Sequence, residues 1–152
     1  MGTAENPFMA KAIEEARGAA RRGEVPVGAV VVDVAARKIL ASAGNEMRAR
    51  GDPTAHAEML AIRAAGQGIG GQRLVGCDLY VTLEPCPMCA HAIALARFRR
   101  LYFGAYDPTG GGVEHGVRIF DQPGCNHRPD VYGGLAEHEA ETLLRDFFAA
   151  RR

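Results

Sequence analysis

The run Glu84-Pro85-Cys86-Pro87-Met88-Cys89 constrains this chain more than any other stretch. Two cysteines with two residues between them, and a proline just inside each end, predict a helix that starts at Pro87 with Cys86 as its cap residue. At that spacing both sulfurs share one helix face. The free N–H groups and the dipole at a helix start favour the thiolate, the form that binds metal. Cys77 and Cys125 stand apart from this pair. A closed four-cysteine structural site within one chain is therefore excluded, and a third ligand has to come from elsewhere.

His56 is the candidate, in the stretch Thr54-Ala55-His56-Ala57-Glu58. A lone Cys-x-x-Cys is often a redox pair, but the leading Pro85 and a His-x-Glu about thirty residues upstream favour zinc. His56 and Glu58, two apart, do not share a helix face. They converge only at a helix tip pointing at the metal, with Asp52 or Thr54 as the expected cap. Two helix starts would then meet over the strand ends, where ligand sites in α/β sheets lie. Zinc makes water a nucleophile near neutral pH, and a neighbouring carboxylate, Glu58, is suited to shuttle its proton. In a purely structural site Glu58 would be no more than a first-turn charge.

The chain has 152 residues, the usual size of one domain, and no linker or internal repeat divides it. Its 18 basic and 18 acidic residues cancel, which argues mildly against a nucleic-acid partner. Most of the basic residues are arginines, grouped at Arg97, Arg99 and Arg100 and at Arg145, Arg151 and Arg152; arginine forks suit phosphates, though a solvated face explains either group equally well. Four unevenly spaced cysteines are too few for a disulfide scaffold. No signal-peptide pattern, myristoylation signal or membrane-length apolar run is visible, so a reducing, cytoplasmic setting without a membrane is expected.

Taken in order, Asn6-Pro7 opens a helix with Met9, Ala12, Ile13, Ala16, Ala19 and Ala20 on one face, ended by Gly23. Ala29–Val32 reads as a strand buried on both faces, with Ile39–Ala43 its hairpin partner. Residues 44–53 read as loop. A helix carries Glu58, Ala61, Ile62 and Ala65 and stops within Gly66–Gly71. Leu79–Leu83 and Leu101–Gly104 are further strands on either side of the cysteine helix. Asp107–Gly112 is a Gly-rich loop, Val113–Asn126 has no clean period, Val131-Tyr132 forms a short fifth strand, and a last helix runs from Leu135 through Phe147 and Phe148. Alternating strands and helices predict an α/β sheet covered on both faces. Cys77 and Cys125 read as packing residues. His91 shares the cysteine helix and reads as core or surface; His115 and His138 have weak claims as ligands, and His127, in the polar turn Asn126-His127-Arg128, is a candidate for touching substrate.

Together, His56-Ala57-Glu58 and Pro85-Cys86-Pro87-Met88-Cys89 form the signature of zinc-dependent nucleobase deaminases. Several further stretches resemble the bacterial tRNA-specific adenosine deaminases of the TadA type: Glu24-Val25-Pro26-Val27-Gly28-Ala29-Val30, Asp52-Pro53-Thr54-Ala55, Leu79-Tyr80-Val81-Thr82-Leu83-Glu84, Phe103-Gly104-Ala105-Tyr106-Asp107, Pro123-Gly124-Cys125-Asn126-His127 and Asp146-Phe147-Phe148. The resemblance covers most of the chain. It implies a three-layer α/β/α sandwich around a central mixed five-stranded sheet (cytidine deaminase-like), a single deaminase domain over residues 1–152, and usually a homodimer. It implies conversion of adenosine to inosine at the wobble position of a tRNA anticodon stem-loop. His56, Cys86 and Cys89 would hold one Zn2+ per subunit and Glu58 would shuttle protons. Asn45, helped by the Ala57 backbone, would hold the flipped base. Asp107 would lie in the RNA-contacting loop, and Phe148 near the anticodon nucleotides. Thr109 stands where relatives often carry lysine, and His91 where a small residue is common.

Two other readings compete. One is the same chemistry on a free base or nucleotide of the guanine or cytosine type, which neutral charge favours. The other is a catalytically idle zinc-stabilised binding module, which the intact Glu58 opposes.

Overall fold

The structure is a computed structural model that describes residues 6–151. Arg152 lies outside the described residues. Helix α1 spans Pro7–Arg21. Asn6 Oδ1 accepts the Phe8 and Met9 amides at 3.0 and 2.9 Å, and Pro7 fills the first helical position. A cap of this kind stabilises a helix by about 1 kcal/mol. The stripe Met9, Ala12, Ile13, Ala16 and Ala19 is buried as its spacing predicts.

Strands β1 (Gly28–Asp33) and β2 (Lys38–Gly44) form an antiparallel hairpin with an irregularity between Val31 and Val32. β3 (Cys77–Leu83) pairs antiparallel with β1. Helix α4 (Pro87–Ala96) crosses over to β4 (Arg100–Ala105), which pairs parallel with β3, and β5 (Asp130–Tyr132) adds parallel to β4. The five-stranded sheet has the order β2-β1-β3-β4-β5 and is mixed, as expected.

Alternation along β1 divides the core. Val30 and Val32, with Tyr80 and Ala105, pack under α1 and under α5 (Glu137–Ala149). Ala29 and Val31, with Leu79, Val81, Leu101 and Phe103, pack on the opposite face under α3 (Ala57–Ile69) and α4. Both faces are thus covered, which explains the unbroken apolar run of β1. A Cβ on Gly28 would lie 2.0 Å from the Ala12 carbonyl, so only glycine lets α1 seat this close.

Three expectations are corrected. Residues 44–53 are not all loop: α2 (Met47–Arg50) forms because the buried Glu24 carboxylate accepts the Arg48 and Ala49 amides at 3.0 and 2.9 Å. Neither Asp52 nor Thr54 caps α3; Asp52 Oδ1 instead accepts the Thr54 amide and hydroxyl at 2.8 and 2.7 Å, and the cap residue is His56. Helix α3 stops within Gly66–Gly71 as expected: it runs to Ile69 and ends on Gly70 in the left-handed conformation. The last helix starts at Glu137, two residues later than Leu135. Between β4 and β5 the aperiodic stretch is loop, with one 3-10 turn at Ile119–Asp121.

Candidate metal centre and active site

β3 ends at Leu83, and the chain passes through Glu84-Pro85 into Cys86, the cap residue of α4. Neither Cys86 nor His56, the cap of α3, spends its side chain on its own helix. Both side chains are free to face each other. His56 Nδ1 lies 3.4 Å from Cys89 Sγ and 3.6 Å from Cys86 Sγ, and the three donor atoms all fall within 4.8 Å of one another. Tetrahedral zinc, with Zn–S near 2.3 Å and Zn–N near 2.05 Å, sets sulfur-to-nitrogen separations of about 3.5 Å. Two soft sulfurs and one imidazole, preformed at that spacing and leaving a fourth position for substrate chemistry, fit a catalytic zinc.

The protein groups shift one another's protonation. The hydrogen bond from Cys89, then that with His56, pulls the Cys86 thiol down to about 4. The same sulfur–sulfur bond, together with burial, pushes Cys89 up. The bond to Cys86 raises His56 above its ordinary value. Metal binding requires the thiolate form, and a bound cation would displace the remaining thiol proton.

Glu58 sits in the first turn of α3 and is 4% exposed. Burial pushes its carboxyl up to about 7. That is the range in which a carboxyl both takes and returns a proton near neutrality. Asn45 follows β2, buried, and its Oδ1 accepts the Ala57 amide at 2.7 Å. The bond pins the start of α3, and with it His56 and Glu58. The Ala57 N–H is thereby committed, and the Asn45 Nδ2 amide remains the free donor of the pair, with no acceptor among the described residues.

The loop after β4 is fastened to the metal motif by a residue whose role is not visible in the sequence. Glu84 is 1% exposed. Its Oε1 accepts the Asp107 amide at 3.0 Å and faces His115 Nδ1 at 2.8 Å. Its Oε2 accepts the amides of Val113, Glu114 and His115 at 3.2, 2.9 and 3.0 Å. Burial raises the Glu84 carboxyl, but the donors that converge on it outweigh burial and hold it below its ordinary value. The Gly112 amide donates to Pro85 O at 2.8 Å, and a Cβ on Gly112 would lie 2.6 Å from Pro87 N. A glycine is needed there for the loop to lie on the start of α4. The only sequence signal for this is the pairing of Glu84, next to the cysteine motif, with a Gly-rich loop.

Asn45, His56, Ala57, Glu58, Cys86 and Cys89 therefore come together. Asp107 lies in the fastened loop, half-buried, with Oδ1 accepting the Thr109 and Gly110 amides at 3.2 and 2.9 Å. Phe148 is not part of the metal centre. It stands on α5, in the layer across the sheet, 48% exposed and edge-on to Phe147. His91 is exposed on α4. His127 faces the Phe98 carbonyl through Nε2 at 2.6 Å, and Cys125 donates to His127 O at 3.1 Å, so both fasten a loop. Arg99 forks onto the buried Asp78 at 2.9 and 2.7 Å, and Arg100 donates to the Tyr102 hydroxyl at 3.2 Å, which accounts for two members of the first arginine group.

Comparison with known proteins agrees with this geometry. The family model described as the cytidine and deoxycytidylate deaminase zinc-binding region matches residues 3–105. A tRNA-specific adenosine deaminase of Agrobacterium fabrum is 57% identical over 145 residues, covering 95% of this chain and 94% of its own. A solved chain from a study of A-to-I editing by tRNA:A34 deaminases at the wobble position of transfer RNA superposes with a TM-score of 0.87 at 56% identity, covering 91% of this chain and 99% of that one. A guanine deaminase of Bacillus subtilis matches at TM-score 0.63 and 32% identity, over 95% of this chain and 92% of its own. The donor set and the zinc-binding family model together identify the cofactor as one Zn2+ ion. The chain belongs to the tRNA-specific adenosine deaminases, the TadA type, within the cytidine and deoxycytidylate deaminase family.

Proposed function

We propose that this protein hydrolytically deaminates adenosine to inosine at the wobble position of a tRNA anticodon stem-loop, and that residues 1–152 form one zinc-dependent deaminase domain. The observation that carries the chemistry is the buried Glu58 beside the His56, Cys86 and Cys89 donors. The tRNA substrate is supported by 57% identity to a tRNA-specific adenosine deaminase against 32% to a guanine deaminase.

His56, Cys86 and Cys89 hold the zinc. When bound, zinc supplies the Lewis acidity that makes water a nucleophile near neutral pH. Glu58 takes a proton from the attacking water and delivers it to N1 of the adenine ring as the oxygen adds to C6. The same carboxyl then moves the proton of the added C6 hydroxyl to the exocyclic amine, the C6–N bond breaks, and ammonia leaves as the C6 carbonyl forms. A carboxyl tuned to about 7 suits both directions of transfer. Asn45 Nδ2 donates to the extruded base, while Oδ1 keeps the start of α3 in register through the Ala57 amide. A base within an RNA loop has to be splayed out to reach this centre. The Asp107 loop borders the entrance, and the exposed Phe148 ring offers a stacking surface to neighbouring nucleotides.

The protein acts as a homodimer in the cytoplasm. The support for dimerisation is the outer face of α4, where Met88, His91 and Leu95 stand at helical spacing and Leu95 is 64% exposed. A closed two-fold pair is the commonest way to cover such a stripe. No helix of the described residues is long and apolar enough to cross a membrane.

Sequencing a total tRNA pool after incubation with the zinc-loaded protein tests the reading, because inosine is copied as guanosine. New adenosine-to-guanosine changes are expected at the wobble position alone. Changes scattered among other adenosines, or none, count against it.

A further inference from the structure

Balanced net charge conceals an uneven distribution. Arg22 after α1, Arg48 in α2 and Arg151 after α5 are all exposed; Arg48 and Arg151 border Gly23, and Arg22 borders Gly44-Asn45. Gly23 adopts a left-handed φ of +81°. A Cβ there would lie 3.0 Å from Arg48 Nη1 and 3.8 Å from Arg151 Nη2. A Cβ on Gly44 would lie 3.1 Å from Arg22 Nη2.

Each guanidinium is anchored on a backbone carbonyl. Arg48 Nη1 donates to Gly23 O at 3.1 Å, Arg22 Nη2 to Asn45 O at 3.4 Å and Arg151 Nη1 to Phe147 O at 3.2 Å, with Arg151 also lying over the Phe147 ring. A guanidinium has five N–H donors, so most of each fork stays available. No carboxylate among the described residues pairs with any of the three, whereas Arg17, Arg50, Arg99, Arg118 and Arg128 all have acidic partners. Acids nearby are already engaged: Glu24 is buried on the α2 amides, Glu46 pairs with Arg50 at 3.2 Å, and Glu15 pairs with Lys11 at 3.4 Å. Unpaired, carbonyl-anchored guanidinium forks gathered at one corner suit a phosphodiester better than any neutral ligand.

We propose that Arg22, Arg48 and Arg151 form a clamp for the RNA backbone, gripping phosphates beside the nucleotide whose base Asn45 holds. This rests on the RNA-substrate reading above. It explains how a chain of zero net charge binds a polyanion: the positive field is local and adjoins the base pocket through Asn45.

The test uses the zinc-loaded protein and a fluorescein-labelled anticodon stem-loop, with binding followed by anisotropy between 50 and 300 mM KCl and deamination measured on the same RNA. For the double variant Arg48→Ala with Arg151→Ala, affinity at low salt falls on the order of tenfold or more, and the slope of log affinity against log salt flattens by about 1.4, or roughly 0.7 for each lost single-strand phosphate contact. The loss of deamination sits in KM. Replacing the same two residues by lysine restores most of the slope. Arg17→Ala, which removes a positive charge where α1 pairs with Glu139 of α5, leaves the slope where it was. An unchanged slope in the double variant, or an equal change per charge in Arg17→Ala, overturns the clamp while leaving the deaminase reading intact. If the wild type does not deaminate the stem-loop at all, the RNA reading itself fails and the clamp fails with it.

Discussion

The Glu84 carboxylate and the His115 imidazole meet at 2.8 Å across 31 residues of chain, and the same carboxylate collects four backbone amides of the loop that overlies the cysteine helix. Glu84→Gln puts an NH2 group among N–H donors. The expected loss is about 2 kcal/mol or more, since hydrogen bonds to a charged acceptor are the stronger ones. The sign of its pH dependence follows from the lowered value in the folded protein. The stabilisation is complete above the ordinary carboxylate value of 4.5 and disappears as pH falls through the folded value. Thermal melts of wild type and variant should stay apart at neutral pH and converge in acid. A gap that persists into strong acid contradicts the assignment.

In the proposed mechanism Glu58 acts on protons and not on the metal. Glu58→Gln should keep one zinc per chain by elemental analysis and still bind the stem-loop, while kcat falls by at least the 10²–10⁴-fold typical of general acid–base catalysis, roughly. Cys86→Ala should lose zinc and turnover together. Near-normal kcat in the first variant, or full zinc in the second, refutes the respective role.

The proposed mechanism gives Asn45 two jobs that one substitution separates. Asn45→Asp keeps an oxygen for the Ala57 amide and removes the Nδ2 donor. Zinc content should hold, while kcat/KM on the stem-loop drops on the order of tenfold to a hundredfold, as for one lost hydrogen bond of 1–3 kcal/mol. Asn45→Ala removes both functions and should also lower thermal stability. Equal melting temperatures for the two variants would show that the Ala57 bond holds nothing in place.

The exposed stripe on α4 is testable by size. Sedimentation should give a dimer at micromolar concentration, and Leu95→Asp should shift it toward monomer with the far-ultraviolet circular dichroism unchanged. A wild-type monomer under those conditions removes the dimer from the account.

What the sequence made legible was mostly local. The spacing of Cys86, Pro87 and Cys89 specifies a helix start with two sulfurs on one face, and the α1 stripe from Met9 to Ala19 is buried as its period demands. His56 is within reach because the metal lacks a third ligand, although the sequence points to Asp52 or Thr54, not His56, as the α3 cap. The illegible parts depend on distant partners. Helix α2 exists because Glu24, more than twenty residues earlier, receives its first amides. Glu84 organises a loop that only the β3-to-β4 crossover brings within its reach. The arginine corner joins the ends of three helices that no periodicity connects.

The central claim is an RNA-directed adenosine deaminase, and a side-by-side turnover measurement tests it most directly. Zinc-loaded protein is incubated with an anticodon stem-loop bearing adenosine at the wobble position and, separately, with free adenine, guanine and cytosine as bases and as nucleosides, and ammonia release is followed together with the deaminated product. The account predicts stoichiometric inosine in the stem-loop and negligible turnover of the free compounds. Deamination of free guanine or cytosine with the stem-loop untouched would contradict it and assign the same zinc chemistry to a small-molecule substrate.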